Sequence, residues 1–366
     1  MSQKICRIFS FPSHSPRDHI SGVDYPRIIQ PMKFLDGFTD GEVKFKVIHW
    51  DGQPITIGKW GEICKNIDII YFNYTTNADM FVTMGMTAEM NGVKMVMDLD
   101  DALWHINKDN TAYDSYKPGS IGIATFNDIT NYVNYITCTN SYLKNVIVNN
   151  TRKVHNQIEV FPNTVDTNIY DKIPEFKDTN EINIVHYGSS SHYTDLSDPI
   201  FVEAMDRIMQ EYPNVNLLTV GSFFGDFKMR WGRRYNEEFG AINFMEWAKT
   251  RFPEIMAKTD IFVAPLTLGN IYNRCKSNIK FSEVSTAKKP GCWSDIRQYQ
   301  ECVKHGVNGF LCATTDDWYK SIKTLCDNVS LRKSMGEEAY KTVMDKWQTK
   351  QFVSKYADFF KRVLSN

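Results

Sequence analysis

The chain is predicted to fold into two doubly wound α/β domains, each built around a parallel sheet. Short apolar runs rich in Ile, Val, Phe and Tyr recur along its 366 residues, and each is followed by a polar turn and a segment with helical periodicity. Runs that are apolar on both faces are typical of buried parallel strands. Strands that alternate with helices indicate doubly wound sheets, and a chain of this length can fill two hydrophobic cores.

Ten apolar runs predict the strands, six in the first half and four in the second. The first six are residues 5–11, 43–50, 67–74, 94–99, 132–137 and 158–161. The other four are residues 182–187, 216–220, 261–264 and 309–312. A polar, charged stretch containing Pro174 separates the two series. We therefore expect an N-terminal domain over residues 1–172 and a C-terminal domain over residues 173–348.

Two helices carry clear apolar faces. The first face consists of Ile200, Phe201, Ala204, Met205, Ile208 and Met209. Pro213 predicts that this helix ends before it. The second face runs from Phe352 to Leu364 on the final segment, residues 349–366. Such a broad stripe must be buried, either on the C-terminal domain or on the other one.

Composition and charge exclude several classes of protein. The 42 basic and 43 acidic residues leave a net charge of -1, which as a whole suits neither a nucleic-acid binder nor a polybasic membrane protein. The eight cysteines form no CxxC pair, so free thiols in a reducing cytoplasm are a simpler interpretation than zinc or disulfides. We see no signal peptide and no membrane-spanning run, and so expect a cytoplasmic protein.

The segment NRCKSNIKFSE, residues 273–283, is the most informative one. If it is helical, Lys276, Lys280 and Glu283 share one face because they are spaced i, i+4 and i+7. Two cations beside a helix start suit a diphosphate, and the carboxylate could accept hydrogen bonds from a ribose diol. The alternative is an ordinary solvated Lys/Glu face.

Residues 260–309 carry a resemblance to a known family. They read DIFVAPL, then NIYNRCKSNIKFSEVSTAKKPGCWSD, then GVNGFL. This pattern resembles the donor site of retaining GT-B glycosyltransferases, in particular a KSxxK branch of glycosyltransferase family 4. The resemblance implies two Rossmann-like domains that face each other across a cleft. It implies a donor domain at the C-terminus, an acceptor domain at the N-terminus, and a last helix (349–366) that packs back on the N-terminal domain.

The resemblance also assigns roles to residues of this segment. Glu283 would bind the donor ribose, and Lys276, Ser277 and Lys280 would bind the diphosphate. The family usually carries two glutamates separated by seven residues, whereas this chain has Cys275 at the first position. Asn273 is therefore our candidate for holding the donor sugar.

Two glycine-containing loops are expected near the diphosphate. INIVHYGSSSHYTDL, residues 182–196, predicts a buried strand, a small-residue loop and a helix start. It resembles the first strand–loop–helix of the donor domain, which implies diphosphate contacts from Gly188, Ser189 and His192. Taken alone, His192 would more often be a surface or capping residue. A second loop around Gly22 resembles the family's loop that faces the cleft.

The segment DLDDALWH, residues 98–105, follows a buried strand and should lie at the carboxyl edge of a sheet, where α/β sites form. Its carboxylates could be a metal-binding DxD. The resemblance favours acceptor orientation by Asp100, Asp101 or His105 instead. It also implies that protein cations offset the diphosphate charge, so we expect no metal and no cofactor apart from the nucleotide-diphosphate sugar donor.

The resemblance implies a retaining glycosyltransferase that moves a sugar to an acceptor hydroxyl, with Lys280 among its catalytic groups. We expect the acceptor to be a glycan or polysaccharide intermediate, or alternatively 5-hydroxymethylcytosine in phage DNA. KMRWGRRY, residues 228–235, offers a local basic surface for DNA, although two glutamates follow it. A nucleotide-sugar epimerase and a degenerate sugar-nucleotide-binding protein are further alternatives. No GxGxxG follows a strand, which argues against a nicotinamide dehydrogenase.

Overall fold

The computed structural model describes residues 3–14, 20–74, 78–110, 112–170, 180–188, 192–221, 225–238, 240 and 243–365. These residues form two six-stranded sheets in which the paired strands run parallel, with helices between them. The predicted pair of doubly wound α/β domains is confirmed. The expected domain boundary lies in residues 171–179, outside the described residues.

The N-terminal sheet has the strand order β2-β1-β3-β4-β5-β6. Its strands are β1 (Lys4–Phe11), β2 (Val43–His49), β3 (Ile69–Asn73), β4 (Lys94–Leu99), β5 (Tyr135–Cys138) and β6 (Ile158–Val160). Its helices are α1 (Gln30–Leu35), α2 (Ile57–Cys64), α3 (Ala78–Met90), α4 (Tyr113–Tyr116), α5 (Ile121–Tyr132) and α6 (Ser141–Asn150).

The C-terminal sheet has the order β12-β11-β10-β7-β8-β9. Its strands are β7 (Ile182–Tyr187), β8 (Val215–Val220), β9 (Tyr235–Glu238), β10 (Ile261–Ala264), β11 (Gly291–Ser294) and β12 (Phe310–Cys312). The helices after β7 are α7 (Tyr193–Leu196), α8 (Pro199–Glu211), α9 (Gly225–Trp231), α10 (Phe244–Glu246), α11 (Phe252–Lys258), α12 (Ile271–Cys275), α13 (Ile279–Thr286), α14 (Arg297–Gln300), α15 (Thr315–Asp327), α16 (Val329–Lys346) and α17 (Val353–Ser365). The chain order reverses between β7 and β10, and such a reversal opens a ligand-binding crevice beyond the strand ends.

Two strands are absent from the ten predicted runs. β9 is a short edge strand whose middle residues are exposed, so it lacks the two-sided apolar pattern. β11 is fully buried but only four residues long, and it starts at Gly291 directly after Pro290. The fifth strand also begins later than predicted, because α5 continues to Tyr132.

The final helix packs against the N-terminal sheet. The rings of Tyr356 and Phe161 stack with centroids 3.8 Å apart. The ring of Phe360 meets Tyr71 of β3 edge-on at 5.5 Å. α17 therefore joins the core that β1, β2 and β3 form with α1. On α8, the predicted apolar face is buried except for Ile200, which is exposed.

The eight cysteines are free and buried. Within the described residues, we find no helix with both the length and the apolar character needed to cross a membrane.

Candidate active site

The candidate site lies where the carboxyl ends of the two sheets face each other. On the C-terminal side, Gly188 follows β7, and α12 and α13 follow β10. On the N-terminal side, Asp100 and Asp101 follow β4, and Asn140 follows β5. The side chains of α12 and of the segment after β4 are in direct contact, since the Tyr272 hydroxyl donates to Asp101 Oδ2 at 2.9 Å.

The segment 273–283 does not form the single helix that its spacing suggested. α12 ends at Cys275 and α13 starts at Ile279, with Lys276 extended between them. Asn140 of the N-terminal domain donates to the carbonyls of Cys275 and Lys276, at 2.8 and 3.1 Å. The break is therefore stable because carbonyls released from helical hydrogen bonding find donors on the other domain.

Lys280 belongs to a chain of hydrogen-bonded groups. Its Nζ lies 2.9 Å from His192 Nε2, and His192 Nδ1 lies 3.0 Å from Asp195 Oδ2. The other oxygen of Asp195 accepts from the backbone N–H of Thr267 at 3.0 Å and from the amide of Asn273 at 2.7 Å. The loop after β10 thus holds the carboxylate that orients the histidine.

Burial and nearby charges set the protonation states of Lys280 and His192. Burial, together with the charge of Lys276, lowers the pKa of Lys280 to about 8. Burial and the two lysine charges hold the pKa of His192 well below its usual value, so the ring is neutral at neutral pH. His192 then donates from Nδ1 to Asp195 and accepts at Nε2 from the Lys280 ammonium group.

Glu283 is buried, and its carboxylate accepts hydrogen bonds from two tyrosines. Its Oε1 accepts from the hydroxyl of Tyr170 at 2.9 Å, and its Oε2 accepts from the hydroxyl of Tyr187 at 2.7 Å. Burial raises the pKa of this carboxyl, while the tyrosine hydroxyls and Lys280 favour the ionised form. Each carboxylate oxygen keeps a further lone pair that can accept from a ligand hydroxyl.

Asn273 and Cys275 are turned away from open space. Asn273 is 1% exposed, and its amide donates to Asp195 and to the carbonyl of Thr267. Cys275 is fully buried and packs in the core of the N-terminal domain with residues such as Leu143. The position where the family usually has its first glutamate therefore serves contact between the domains in this chain.

The glycine after β7, Gly188, lets the ring of His192 lie close to the backbone. A Cβ on Gly188 would lie 2.7 Å from the Cδ2 of His192, so a side chain there would displace the histidine. Ser189 lies outside the described residues.

Gly22 is exposed, and a Cβ on it would meet nothing within 4 Å. Ser277 Oγ accepts from the amide of Asn163 at 2.7 Å, which is a contact between the domains.

The acidic segment after β4 contacts the C-terminal domain. Asp101 Oδ1 lies 4.0 Å from the Nζ of Lys276. Burial and the charges of Asp101 and Asp98 raise the pKa of Asp100 to about 8. Burial lowers the pKa of the partly buried His105. No group of three or more His, Cys, Asp or Glu suited to a metal ion occurs in the described part of the chain.

The N-terminal domain also contains an apolar pocket of about 320 Å³. It begins at the ends of β1 and β2, where the rings of Phe11 and Trp50 lie 4.6 Å apart. Trp60 and Met84, from α2 and α3, form its opposite wall. A pocket lined mainly by aromatic and apolar groups at a sheet's carboxyl edge is typical of ligand sites.

Residues 228–235 do not line the cleft. Arg230 is paired with Asp206, and Arg234 donates to the carbonyl of Met209 at 2.7 Å. Lys228 donates to the carbonyl of Tyr235 at 3.0 Å. The segment leads into the start of β9, whereas the cleft lies beyond the strand ends.

The sequence did not predict that two tyrosines would donate hydrogen bonds to Glu283, or that Asn140 would bind the backbone of the other domain. Tyr187 is the last residue of β7, just before Gly188. Its position at the carboxyl end of a strand could have identified it as a site residue. Tyr170 precedes the undescribed stretch between the domains, and nothing local marks its partner 113 residues away.

Comparison with known proteins adds independent findings. Residues 182–328 match the family model described as glycosyl transferases group 1. No curated protein sequence matches the chain.

Several solved structures share the fold across nearly the whole chain. HepE of Anabaena, crystallised with UDP and glucose, aligns with a TM-score of 0.65 at 16% identity, covering 97% of this chain and 99% of HepE. A glycosyltransferase from Rickettsia africae aligns with a TM-score of 0.63 at 13% identity, covering 100% of both chains. Sucrose-phosphate synthase of Thermosynechococcus elongatus aligns at 0.63 with 10% identity, covering 98% and 99%. The C-terminal domain therefore resembles glycosyl transferases group 1, and the whole chain shares the GT-B fold of these neighbours.

Proposed function

We propose that the protein transfers a sugar, with retention, from a nucleoside-diphosphate sugar to a hydroxyl of a glycan acceptor. The observation that carries the proposal is that Lys276 and Glu283 both lie close enough to Lys280 to shift its pKa, while Asp101 of the N-terminal domain lies 4.0 Å from Lys276. Solved structures of HepE with UDP and with UDP-glucose support the donor class. The retaining outcome is supported by the resemblance of residues 260–309 to retaining enzymes.

The two ammonium groups supply what the departing diphosphate requires. When the bond between the anomeric carbon and the diphosphate oxygen breaks, negative charge develops on the diphosphate. Among the described residues, His192 and no carboxylate orients Lys280, so its charge is available to this oxygen. Fixed cations in a partly buried site lower the barrier because they need not reorganise during the reaction. We propose that Lys276 and Lys280 perform this role without a metal ion.

The acceptor is placed by the N-terminal domain. Its hydroxyl oxygen forms the new bond to the anomeric carbon on the face that the diphosphate leaves, and its proton passes to the departing phosphate oxygen. Asp101, which touches both Lys276 and Tyr272, lies where it can orient this hydroxyl. The aromatic pocket beside β1 and β2 offers apolar surface for the rest of the acceptor.

Glu283 is proposed to bind the donor ribose. Tyr170 and Tyr187 fix the carboxylate, and the remaining lone pairs of the ionised group would accept from the two ribose hydroxyls. Asn273 is proposed to support the site through Asp195.

A donor and acceptor screen tests the function. UDP-, GDP- and ADP-sugars are incubated with lipid-free glycan intermediates and, separately, with DNA that contains 5-hydroxymethylcytosine, and release of nucleoside diphosphate is measured. Lys280→Ala and Glu283→Ala should each abolish release while the thermal transition remains cooperative. The exposed pair Lys341 and Glu338 provides matched controls, as Lys341→Ala and Glu338→Ala.

The product's anomeric configuration, read by NMR, tests retention, and activity after treatment with EDTA tests the absence of a metal. Near-normal turnover in both Lys280→Ala and Glu283→Ala would remove the donor-site assignment. Transfer to the modified DNA alone would replace the glycan by DNA as the acceptor.

A further inference from the structure

The turn that carries Lys276 is held from the other domain. Asn140 is buried, and its amide donates to the backbone carbonyls of Cys275 and Lys276, at 2.8 and 3.1 Å. The hydroxyl of Thr139 donates to the same Cys275 carbonyl at 3.3 Å. Asn140 lies 136 residues away from Lys276 in the chain, so these bonds exist only when the two domains are in contact.

The residues that flank Lys276 also pack against the N-terminal domain. Cys275 is fully buried in the hydrophobic core of the N-terminal domain, although it belongs to the C-terminal one. The next residue but one, Ser277, accepts from Asn163 of the N-terminal domain at 2.7 Å. Asn270 donates to Asn107 at 2.6 Å on the preceding turn. The backbone on both sides of Lys276 is thus fixed by the N-terminal domain.

Lys280 is placed differently. It lies on α13, and its partner His192 and the orienting Asp195 both belong to the C-terminal domain. Separation of the domains would leave Lys280 in place. It would release the extended residue Lys276, whose carbonyl would lose its partner in the other domain.

We infer that Asn140 is a positioning residue that couples contact between the domains to the placement of the Lys276 ammonium group at the donor diphosphate. The inference rests on the proposed function and extends it, because only one of the two cations then depends on domain closure. Binding of the diphosphate at Lys276 should in turn favour the closed arrangement, since such coupling is reciprocal.

The side chain of Asn140 allows its two roles to be separated. Its Oδ1 caps α6 by accepting from the backbone N–H of Leu143 at 2.8 Å, while its Nδ2 makes the contacts between the domains. Asn140→Asp keeps the shape and the cap, since aspartate is an equally good N-cap residue. It replaces the donating group by an oxygen that repels both carbonyls. Asn328→Asp is the matched control, because Asn328 caps α16 in the same way and is exposed.

The experiment measures binding of UDP, GDP and ADP to the full chain by calorimetry, and continues with the tightest of the three. Asn140→Asp should weaken binding by about five- to 150-fold, the usual range of such coupling. The same substitution in a Lys276→Ala background should change binding by less than about twofold, because residues that act through one another are not additive. Asn328→Asp should leave binding unchanged.

Equal affinity in Asn140→Asp and the unsubstituted protein would overturn the inference. An equal loss in both backgrounds, with a lowered thermal transition, would also overturn it, since this is what a purely structural role predicts. If the unsubstituted protein binds none of the three nucleotides, the proposed function itself fails and the inference with it.

Discussion

The Nε2 atom of His192 lies 2.9 Å from the Nζ atom of Lys280. Since the Nδ1–H of the neutral ring donates a hydrogen bond to Asp195, Nε2 is an uncharged acceptor for the lysine. A neutral partner orients an ammonium group without cancelling its charge. This arrangement suits a group that must meet an anion which is present only during part of the catalytic cycle.

Replacement of Lys280 by methionine should abolish transfer and stabilise the fold. Loss of a preorganised group of this kind typically costs about 100- to 1000-fold in kcat. The folded-state pKa of about 8 lies below the usual 10.5, so the protonated lysine destabilises the folded protein below pH 8. We expect a higher Tm for Lys280→Met at pH 7, and a gain that shrinks as the pH rises from about 8 toward 10.5.

Thermal unfolding at several pH values measures this gain, and the exposed Lys341→Met is the control. A lower Tm at pH 7 in Lys280→Met would show that the lysine contributes more by packing than its charge costs.

The pH profile of the reaction should also reflect the lowered pKa of Lys280. The proposed reaction uses Lys280 as a cation, and its pKa is about 8, so kcat/KM for the donor should fall as the pH rises through that value. Lys280→Arg keeps the cation at all accessible pH values, so the alkaline fall should move upward in whatever activity remains. An unchanged alkaline limb in this variant would assign the fall to another group.

Replacement of Glu283 by glutamine should weaken nucleotide binding selectively. Hydrogen bonds to a charged group contribute about 1.5–3 kcal/mol, so loss of the charge should reduce affinity by roughly 10- to 100-fold. Calorimetry with the nucleoside diphosphate of the active donor measures the loss. Glu338→Gln is the control on the exposed surface. Unchanged affinity would mean that this carboxylate only anchors Tyr170 and Tyr187.

Replacement of Asp100 by asparagine should stabilise the fold at alkaline pH. The folded-state pKa of about 8 lies above the usual 3.8, so ionisation of this carboxyl costs folding free energy. In the unsubstituted protein, stability from this group is lost as the pH rises from about 4 through 8. The gain in Tm for Asp100→Asn should therefore be full above pH 8 and vanish near pH 4.

Asp128→Asn, on the exposed side of α5, should show no such trend. A gain for Asp100→Asn that is equal at pH 4 and pH 8 would contradict the electrostatic origin.

Much of the fold was predictable because its signals are local. Strands buried on both faces appear as continuous apolar runs, and ten such runs located ten of the twelve strands found in the described parts of the chain. β9 and β11 escaped because one is an exposed edge and the other is four residues framed by glycine and proline. Residue type and spacing also predicted a shared role for Lys276, Lys280 and Glu283, but the single helix that the spacing assumed is wrong.

The sequence alone determined that two parallel sheets form and that two lysines and a glutamate follow the strand at residues 261–264. Those properties depend on hydrophobic periodicity and residue type within short windows. The tertiary structure decided that Lys276 leaves the helix, that Cys275 enters the other domain's core, and that His192 is neutral. Each of these depends on groups brought together from distant parts of the chain, since burial and hydrogen-bond partners are set by how the domains pack.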